Sequence, residues 1–120
     1  MTNHIVWFDI PVIKLERAIR FYANVLNIKI SKDFPDMPVG VFAHEENAVS
    51  GCLYETKDDK PADSGILIYF NANGRLDEAL KEVVNFGGFI LKDKQQIGPY
   101  GFRAIVLDSE GNRIALHSQA

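Results

Sequence analysis

The sequence predicts an α+β fold in which one domain of 120 residues is built from two tandem βαβββ modules. Two observations support this prediction: the halves of the chain repeat one another, and each half carries the same order of strand-like and helix-like patterns. A third is the segment of mixed charge between the halves, which is typical of a solvated linker. We therefore assign module 1 to residues 1–56, the linker to 57–64 and module 2 to 65–120.

The repeat becomes visible when the sequence is shifted by 61 residues. "LERAIRFYANVLNIKI" (15–30) then lies over "LDEALKEVVNFGGFIL" (76–91), and "PVGVFA" (38–43) lies over "PYGFRA" (99–104). A single offset that serves two separated segments indicates a duplicated structural unit.

Each module is expected to begin with a strand that is followed by a helix. "IVWFDIPV" (5–12) and "GILIYFNA" (65–72) are rich in β-branched and aromatic residues, as strands are. "LERAIRFYANVL" (15–26) and "LDEALKEVVNFG" (76–87) place their apolar residues at helical spacing. Asn27 is expected to end the first helix, and a Gly-Gly pair the second.

Three short strands are expected to complete each module. They are "KISKD", "GVFAHE" and "AVSGCLYE" in the first, and "FILKDK", "GFRAIVLD" and "RIALHS" in the second. In the final hairpins the offset grows to 65, so that "NAVSGC" (47–52) lies over "NRIALH" (112–117), and a longer second hairpin is predicted. The turn "DSEGN" (108–112) contains residues that tolerate positive φ, so it needs no catalytic explanation.

The composition excludes several classes of protein. The net charge of −3 gives no electrostatic support for nucleic-acid binding. There is no basic start followed by an apolar run, as a signal peptide has, and no apolar stretch of about 18 residues, as a membrane span needs. The single Cys52 cannot form an internal disulfide. A cytoplasmic location is therefore expected.

The duplicated unit, with "RAIRFYANVL" after the first strand and "DSEGNRIALHS" at the end, resembles the vicinal oxygen chelate superfamily of glyoxalases, bleomycin-resistance proteins and extradiol dioxygenases. The resemblance covers nearly the whole chain. "FDIPV…RAIRFY" and "IGPYGFRA…DSEGNRIALHS" are most similar to its small lactoylglutathione lyase-related members, most of which lack an assigned reaction. The resemblance implies a curved mixed sheet around a cavity, and a homodimer.

The resemblance also implies where a metal would bind. Superfamily members take His or Glu ligands from the first and last strands of each module, and these positions fall on Trp7, Ser50, Leu67 or Ile68, and Ala115. None of them is His, Asp or Glu, whereas a divalent metal needs about three N or O donors. We therefore expect no metal and no other cofactor, with a weak site made by one His, one Asp and water as the alternative.

Strand side chains alternate between faces, which extends the expected inner wall. Asp9 shares the face of Trp7, and His117 shares the face of Ala115. The expected inner-wall residues of the two modules are Trp7, Asp9, Ser50, Cys52, Tyr54 and His117.

His117 and Asp9 are the candidate catalytic residues. Imidazole titrates near physiological pH, so His117 is a candidate general base, with Asp9 as its partner across the cavity. The alternative is that His117 caps the last strand and Asp9 bonds to backbone. Cys52 as a nucleophile would need a base and an electropositive setting, and a buried structural thiol is favoured.

The remaining candidates would contact a ligand. Trp7 either stacks on a planar ligand or fills the core, and Tyr54 and Tyr69 contribute to the shape of the pocket. In "QQIGPYGFRA" (95–104), the family fold places Tyr100 and Arg103 near the cavity mouth. Arg103 either holds a carboxylate or phosphate, or pairs with a surface acid such as Asp108.

Together these features predict a protein that binds a small organic molecule without a metal. If it has an activity, we expect lyase or isomerase chemistry by proton transfer. The alternatives are a metal-dependent glyoxalase-like lyase with displaced ligands, a sequestering protein of the bleomycin-resistance type, and a structural protein with a filled cavity.

Overall fold

The computed structural model describes residues 3–120, and its elements follow the order predicted for two βαβββ modules. Module 1 contains β1 (Trp7–Val12), α1 (Leu15–Leu26), β2 (Ile30–Ser31), β3 (Val39–Phe42) and β4 (Ser50–Glu55). Module 2 contains β5 (Tyr69–Asn71), α2 (Leu76–Asn85), β6 (Phe89–Gln96), a short 3₁₀ helix (Gly98–Tyr100), β7 (Phe102–Leu107) and β8 (Arg113–Ser118). The α+β class and the two tandem modules are confirmed. The boundaries at residues 56 and 65 stay predictions.

The strands form two mixed sheets of four strands each. Their orders are β1-β4-β3-β2 and β5-β8-β7-β6, with β1 parallel to β4, β5 parallel to β8, and the other pairs antiparallel. Within residues 3–120 no ladder joins β1 to β5, the inner edges of the two sheets. β5 has only three residues, although the sequence predicted a strand over residues 65–72. It begins at Tyr69, and Ile66, which lies within the predicted strand, is 92% exposed.

The helices keep the bounds that their apolar spacing predicted, with one difference. α1 spans the predicted residues, and Asn27 ends it in the left-handed conformation with φ of 53°. α2 ends at Asn85, two residues earlier than predicted, and the Gly88 N–H then bonds to the Val83 carbonyl at 2.7 Å. A side chain at Gly88 would lie 2.6 Å from the Leu107 carbonyl oxygen, so this close approach requires glycine.

Both modules contribute to one core. The Phe70 ring of module 2 lies 5.6 Å from Phe8, 5.5 Å from Tyr22 and 5.8 Å from Phe42, all of module 1. The helices α1 and α2 also contact each other. Because edge-to-face and tilted aromatic contacts add to the burial of the rings, this cluster fixes the two sheets relative to one another.

The turn between β7 and β8 joins the modules by polar contacts. Its Glu110 accepts hydrogen bonds from the backbone N–H groups of Ile13 and Lys14 at 2.9 and 2.8 Å, just before α1 begins. Its Asn112 donates to the Pro11 carbonyl at 2.8 Å. The turn therefore satisfies two backbone donors immediately before α1, while the first N–H of the helix, that of Leu15, bonds to Glu55 at 3.0 Å.

No helix among residues 3–120 has both the length and the apolar character needed to cross a bilayer.

Candidate functional site

The first sheet turns one face to the core and leaves the other open. The register pairs Trp7 with Ser50, Asp9 with Cys52 and Pro11 with Tyr54. Paired residues of neighbouring strands project from the same face, so the five candidates of module 1 share the open face. The alternating residues of β1 and β4, such as Ile10 and Leu53, lie in the core.

Asp9 is held within this open face by two side chains. Its Oδ1 accepts a hydrogen bond from Trp7 Nε1 at 2.8 Å and from Cys52 Sγ at 3.2 Å. Asp9 thus bonds to side chains rather than to backbone. Burial, followed by the Asp9 carboxylate, raises the pKa of Cys52 to about 12, so the group is a neutral thiol at physiological pH.

Ser50 and Tyr54 also use their hydroxyl groups within the protein. Ser50 is 3% exposed and donates to the Phe42 carbonyl at 2.9 Å. Tyr54 donates to Asp59 in the linker at 2.9 Å, and burial together with that carboxylate raises the pKa of Tyr54 to about 12. Both hydroxyl groups are therefore engaged before any ligand binds.

The open face of the second sheet carries the other candidates. β8 places Ala115 beside Tyr69 and Ile105, and places His117 beside Asn71 and Arg103. Tyr69 therefore occupies in module 2 the position that Trp7 occupies in module 1.

This register corrects one expected position. By the register, the residue of module 2 that corresponds to Trp7 is Tyr69, not Leu67 or Ile68. From Trp7 to the first residue of α1 the chain advances eight residues, whereas from Tyr69 to the first residue of α2 it advances seven.

A cavity of about 580 Å³ opens on this face, and its wall combines aromatic and polar groups. It is lined by Tyr69, Phe70, Asn71, Asn73, Ile97, Tyr100, His117 and Gln119. Only Tyr69, Tyr100 and His117 were among the expected site residues; Phe70, Asn71, Asn73, Ile97 and Gln119 were not. Asn71 lies two residues after Tyr69 on the same strand, so the alternation of faces would have found it once Tyr69 was correctly placed.

His117 is oriented by the turn that carries Tyr100. Its Nε2 lies 2.5 Å from the Tyr100 carbonyl oxygen. A carbonyl oxygen only accepts, so Nε2 carries the hydrogen and Nδ1 is the proton-accepting nitrogen of the neutral ring. Among residues 3–120, no hydrogen bond joins His117 to Asp9, whose partners are both in module 1.

Arg103 is connected to the cavity by its contact with Tyr69, which lines the cavity wall. Its Nη1 donates to the Tyr69 hydroxyl oxygen, and its guanidinium carbon lies 5.9 Å from the centre of the Tyr69 ring. The interpretation that Arg103 pairs with Asp108 is wrong. Asp108 is 2% exposed and accepts from Tyr22 at 2.5 Å, because the turn folds its carboxylate into the core rather than onto the surface.

The side chains at the four superfamily ligand positions do not fit a divalent metal. Those positions hold an indole, a hydroxyl that is already bonded to a carbonyl, a phenol and a methyl group, at Trp7, Ser50, Tyr69 and Ala115. Throughout residues 3–120, no three His, Cys, Asp or Glu side chains come together as a metal-binding group. Metal ligation needs donors of this kind, so the residues of this site support no reaction step through a metal.

The comparison with protein families identifies the chain. A family model described as the Glyoxalase/Bleomycin resistance protein/Dioxygenase superfamily matches residues 3–116. The chain belongs to this superfamily. The search of functionally curated proteins gave no match.

Several solved structures share the fold at low sequence identity. A hypothetical protein from S. aureus superposes with a TM-score of 0.75 at 18% identity, over 98% of this chain and 95% of its own. A superfamily enzyme from Burkholderia phytofirmans PsJN gives 0.76 at 11% identity, over 95% and 97%. The fosfomycin resistance protein FosX from Listeria monocytogenes gives 0.71 at 15% identity, over 100% and 93%. These likenesses concern the fold alone.

Proposed function

We propose that this superfamily member binds a small organic molecule in the cavity of module 2, without a metal. The cavity wall carries the proposal, because Tyr69, Tyr100 and Ile97 offer apolar surface while Asn71 and His117 offer polar groups. A volume of about 580 Å³ suits a small ligand, since pockets for such ligands are roughly 300–1,000 Å³ and mix the same two kinds of lining.

If the bound molecule reacts, His117 Nδ1 is the proposed general base in lyase or isomerase chemistry. The hydrogen bond from Nε2 to the Tyr100 carbonyl fixes the tautomer that this role requires. Asp9, held by Trp7 and Cys52, is proposed as the second acid–base group for a ligand that reaches both open faces. Trp7, Ser50, Cys52 and Tyr54 would form the wall on that side.

We also propose a homodimer and a cytoplasmic location. The homodimer is proposed because members of the superfamily commonly form dimers. The cytoplasmic location is proposed because the single cysteine is a buried thiol that has no disulfide partner in the chain. Sedimentation velocity at micromolar concentration would test the dimer, and a single species at 13.5 kDa would contradict it.

Fragment screening by ¹H–¹⁵N correlation NMR tests the binding proposal. We expect binding fragments to shift the amide signals of Asn71, Tyr100 and His117. Tyr100→Ala should weaken binding, whereas Phe89→Ala, a matched change of an exposed aromatic outside the cavity, should not. Shifts confined to the larger groove of about 1140 Å³ beside the linker, lined by Glu55, Lys60 and Glu110 among others, would contradict the proposal.

His117→Ala separates an enzyme from a sequestering protein once a ligand is known. A sequestering protein should keep most of its affinity, because the aromatic wall remains. An enzyme should lose turnover and still bind the ligand. If a folded His117→Ala variant no longer bound the ligand, both the enzyme and the sequestering expectation would be contradicted, because neither makes His117 necessary for binding.

A further inference from the structure

The open face of the second sheet carries cations and no acids. The register places Lys92, Arg103 and Arg113 on this face, beside Ile105, His117 and Leu107 respectively. None of its paired residues on β5 to β8 is Asp or Glu. The ion pairs found within residues 3–120 are Arg17–Glu110, Lys32–Glu16 and Lys94–Asp77, so neither arginine of this face is neutralised by the described part of the chain.

Arg103 also has a donor that the protein leaves unused. Its Nε is buried and makes no hydrogen bond within residues 3–120, whereas its Nη1 is held by the Tyr69 hydroxyl. An N–H group that is buried without an acceptor is costly. The planar edge of a guanidinium matches the two oxygens of a carboxylate, which can accept two parallel hydrogen bonds.

The surroundings favour a single negative charge on the acceptor. The polar side chains that line the cavity include no carboxylate and no further arginine or lysine: they are Tyr69, Asn71, Asn73, Tyr100, His117 and Gln119. The Tyr69 hydroxyl accepts from Arg103 and can still donate its own hydrogen. One guanidinium among such groups balances a monoanion, whereas a doubly charged phosphate would be left partly uncompensated.

We propose that the ligand of this cavity is an organic carboxylate with a flat apolar body. Arg103 holds the carboxylate, assisted by the Tyr69 hydroxyl, and the rings of Tyr69 and Tyr100 cover the body. This inference rests on the proposed binding function and names the class of molecule that the site selects.

The experiment compares charged and neutral probes of the same shape. Benzoate and phenylacetate are titrated against benzamide and phenylacetamide by NMR, with phenylphosphonate as a dianionic probe. The variants are Arg103→Gln, Arg103→Lys and, as a matched control, Arg113→Gln. Arg113 lies on the same face with a buried, unpaired Nε, but its Nη2 donates to the Gly65 carbonyl, whereas Arg103 contacts Tyr69, which lines the cavity. Spectral dispersion and melting temperature establish that each variant is folded.

The acids should bind more tightly than the amides and than phenylphosphonate. Added NaCl should weaken the binding of the acids, because salt screens the attraction between charges. Arg103→Gln should weaken the acids about tenfold or more and leave the amides unchanged, as loss of a hydrogen bond to a charged group does. The affinity of Arg103→Lys for the acids should lie between those of the wild type and Arg103→Gln, because lysine keeps the charge and loses the paired donors of the guanidinium. If Arg103→Gln fails to fold, Arg103→Lys provides the test. Arg113→Gln should have little effect.

Other outcomes overturn the inference and separate it from the proposed function. Equal binding of acids and amides, or preference for the phosphonate, removes the carboxylate assignment and leaves the binding function standing. An equal loss in both arginine variants shows diffuse attraction by the face rather than a site at Arg103. If all probes fail to shift the cavity amides, and the wider fragment screen fails as well, the proposed function itself is wrong.

Discussion

The Glu110 carboxylate in the last turn lies 2.8 Å from the Arg17 Nε in the first helix, 93 residues away in the sequence. Glu110 Oε1 also accepts from Arg17 Nη2 at 3.0 Å and from the backbone N–H groups of Ile13 and Lys14. The side chain of Glu110 is fully buried, while that of Arg17 is 39% exposed. One carboxylate therefore joins the end of module 2 to the start of the helix in module 1.

Glu110→Gln should destabilise the protein by about 1.5–3 kcal/mol, as loss of hydrogen bonds to a buried charged group does. The amide keeps one acceptor oxygen and loses the charge that matches Arg17. Urea unfolding followed by circular dichroism measures the change in the free energy of unfolding.

A matched control uses the ion pair of Glu16 with Lys32, whose side chains are 61% and 49% exposed. Glu16→Gln should change the free energy of unfolding by less than about 0.5 kcal/mol, because exposed pairs contribute little. Equal effects of the two substitutions would show that Glu110 does not join the modules in the way described.

Stability should fall in acid through the titration of Glu110. Burial by itself raises the pKa of Glu110, but the hydrogen bonds from Arg17, Lys14, Ser109 and Ile13 lower it from 4.5 to about 2. Between these values the unfolded state binds more protons than the folded state, so stability rises with pH. The contribution is complete above about pH 4.5 and is lost as the pH falls through about 2.

Urea midpoints measured from pH 6 to pH 2 test this dependence. The wild type should lose stability steeply below about pH 4.5, and Glu110→Gln should show a shallower slope. Asp108, whose pKa is raised mainly by burial, acts in the opposite sense in both proteins. Parallel pH profiles for the two proteins would contradict the assignment to Glu110.

Cys52 should react slowly with iodoacetamide in the folded protein. Its thiol is buried, and burial together with Asp9 raises its pKa to about 12, so little of the reactive thiolate is present at pH 8. Asp9→Asn should speed the reaction, because it removes the charge that disfavours the thiolate. Mass spectrometry follows the alkylation, and the urea-unfolded chain is the reference. A folded wild type that reacts as fast as the unfolded chain would refute the buried-thiol assignment.

The purified protein should contain far less than one transition metal per chain. The positions at which the resemblance implies metal ligands hold, by the register, Trp7, Ser50, Tyr69 and Ala115, and these side chains are poor donors for Zn²⁺, Ni²⁺ or Fe²⁺. Elemental analysis of protein prepared without a histidine tag or chelator, before and after incubation with each ion and desalting, makes the measurement. A value near one per chain that persists after desalting would favour a metal-dependent glyoxalase-like lyase.

Much of the fold could be predicted because local patterns carry it. The apolar spacing of residues 15–26 gave the bounds of α1, and Asn27 ends that helix in the conformation expected of it. The repeat offset of 65 agrees with the register, in which Ser50 and Ala115 take equivalent positions. Both signals depend on the periodicity of the chain, which a single sequence displays directly.

The site was harder to predict because its contacts join distant parts of the chain. The sequence predicts "DSEGN" only as a tight turn between two strands, yet Glu110 accepts hydrogen bonds from Ile13 and Lys14, just before α1 of the other module. Asp9 and His117 were expected to face each other, and each is bonded within its own module instead. Alternation along a strand tells which face a side chain takes, but not which residues of another element lie opposite it.

The sequence by itself determined the two modules, the order of their elements, the superfamily and the open-face positions of Trp7, Asp9, Ser50 and His117. The tertiary structure decided that Tyr69 is the counterpart of Trp7, that Asp108 is buried, and that Arg103 lies against Tyr69 with an unused donor. The physical reason is that hydrophobic periodicity is a local property of the chain. Hydrogen bonds and charge pairs at the site depend instead on how the two sheets, which have separate hydrogen-bond ladders, pack around a shared core.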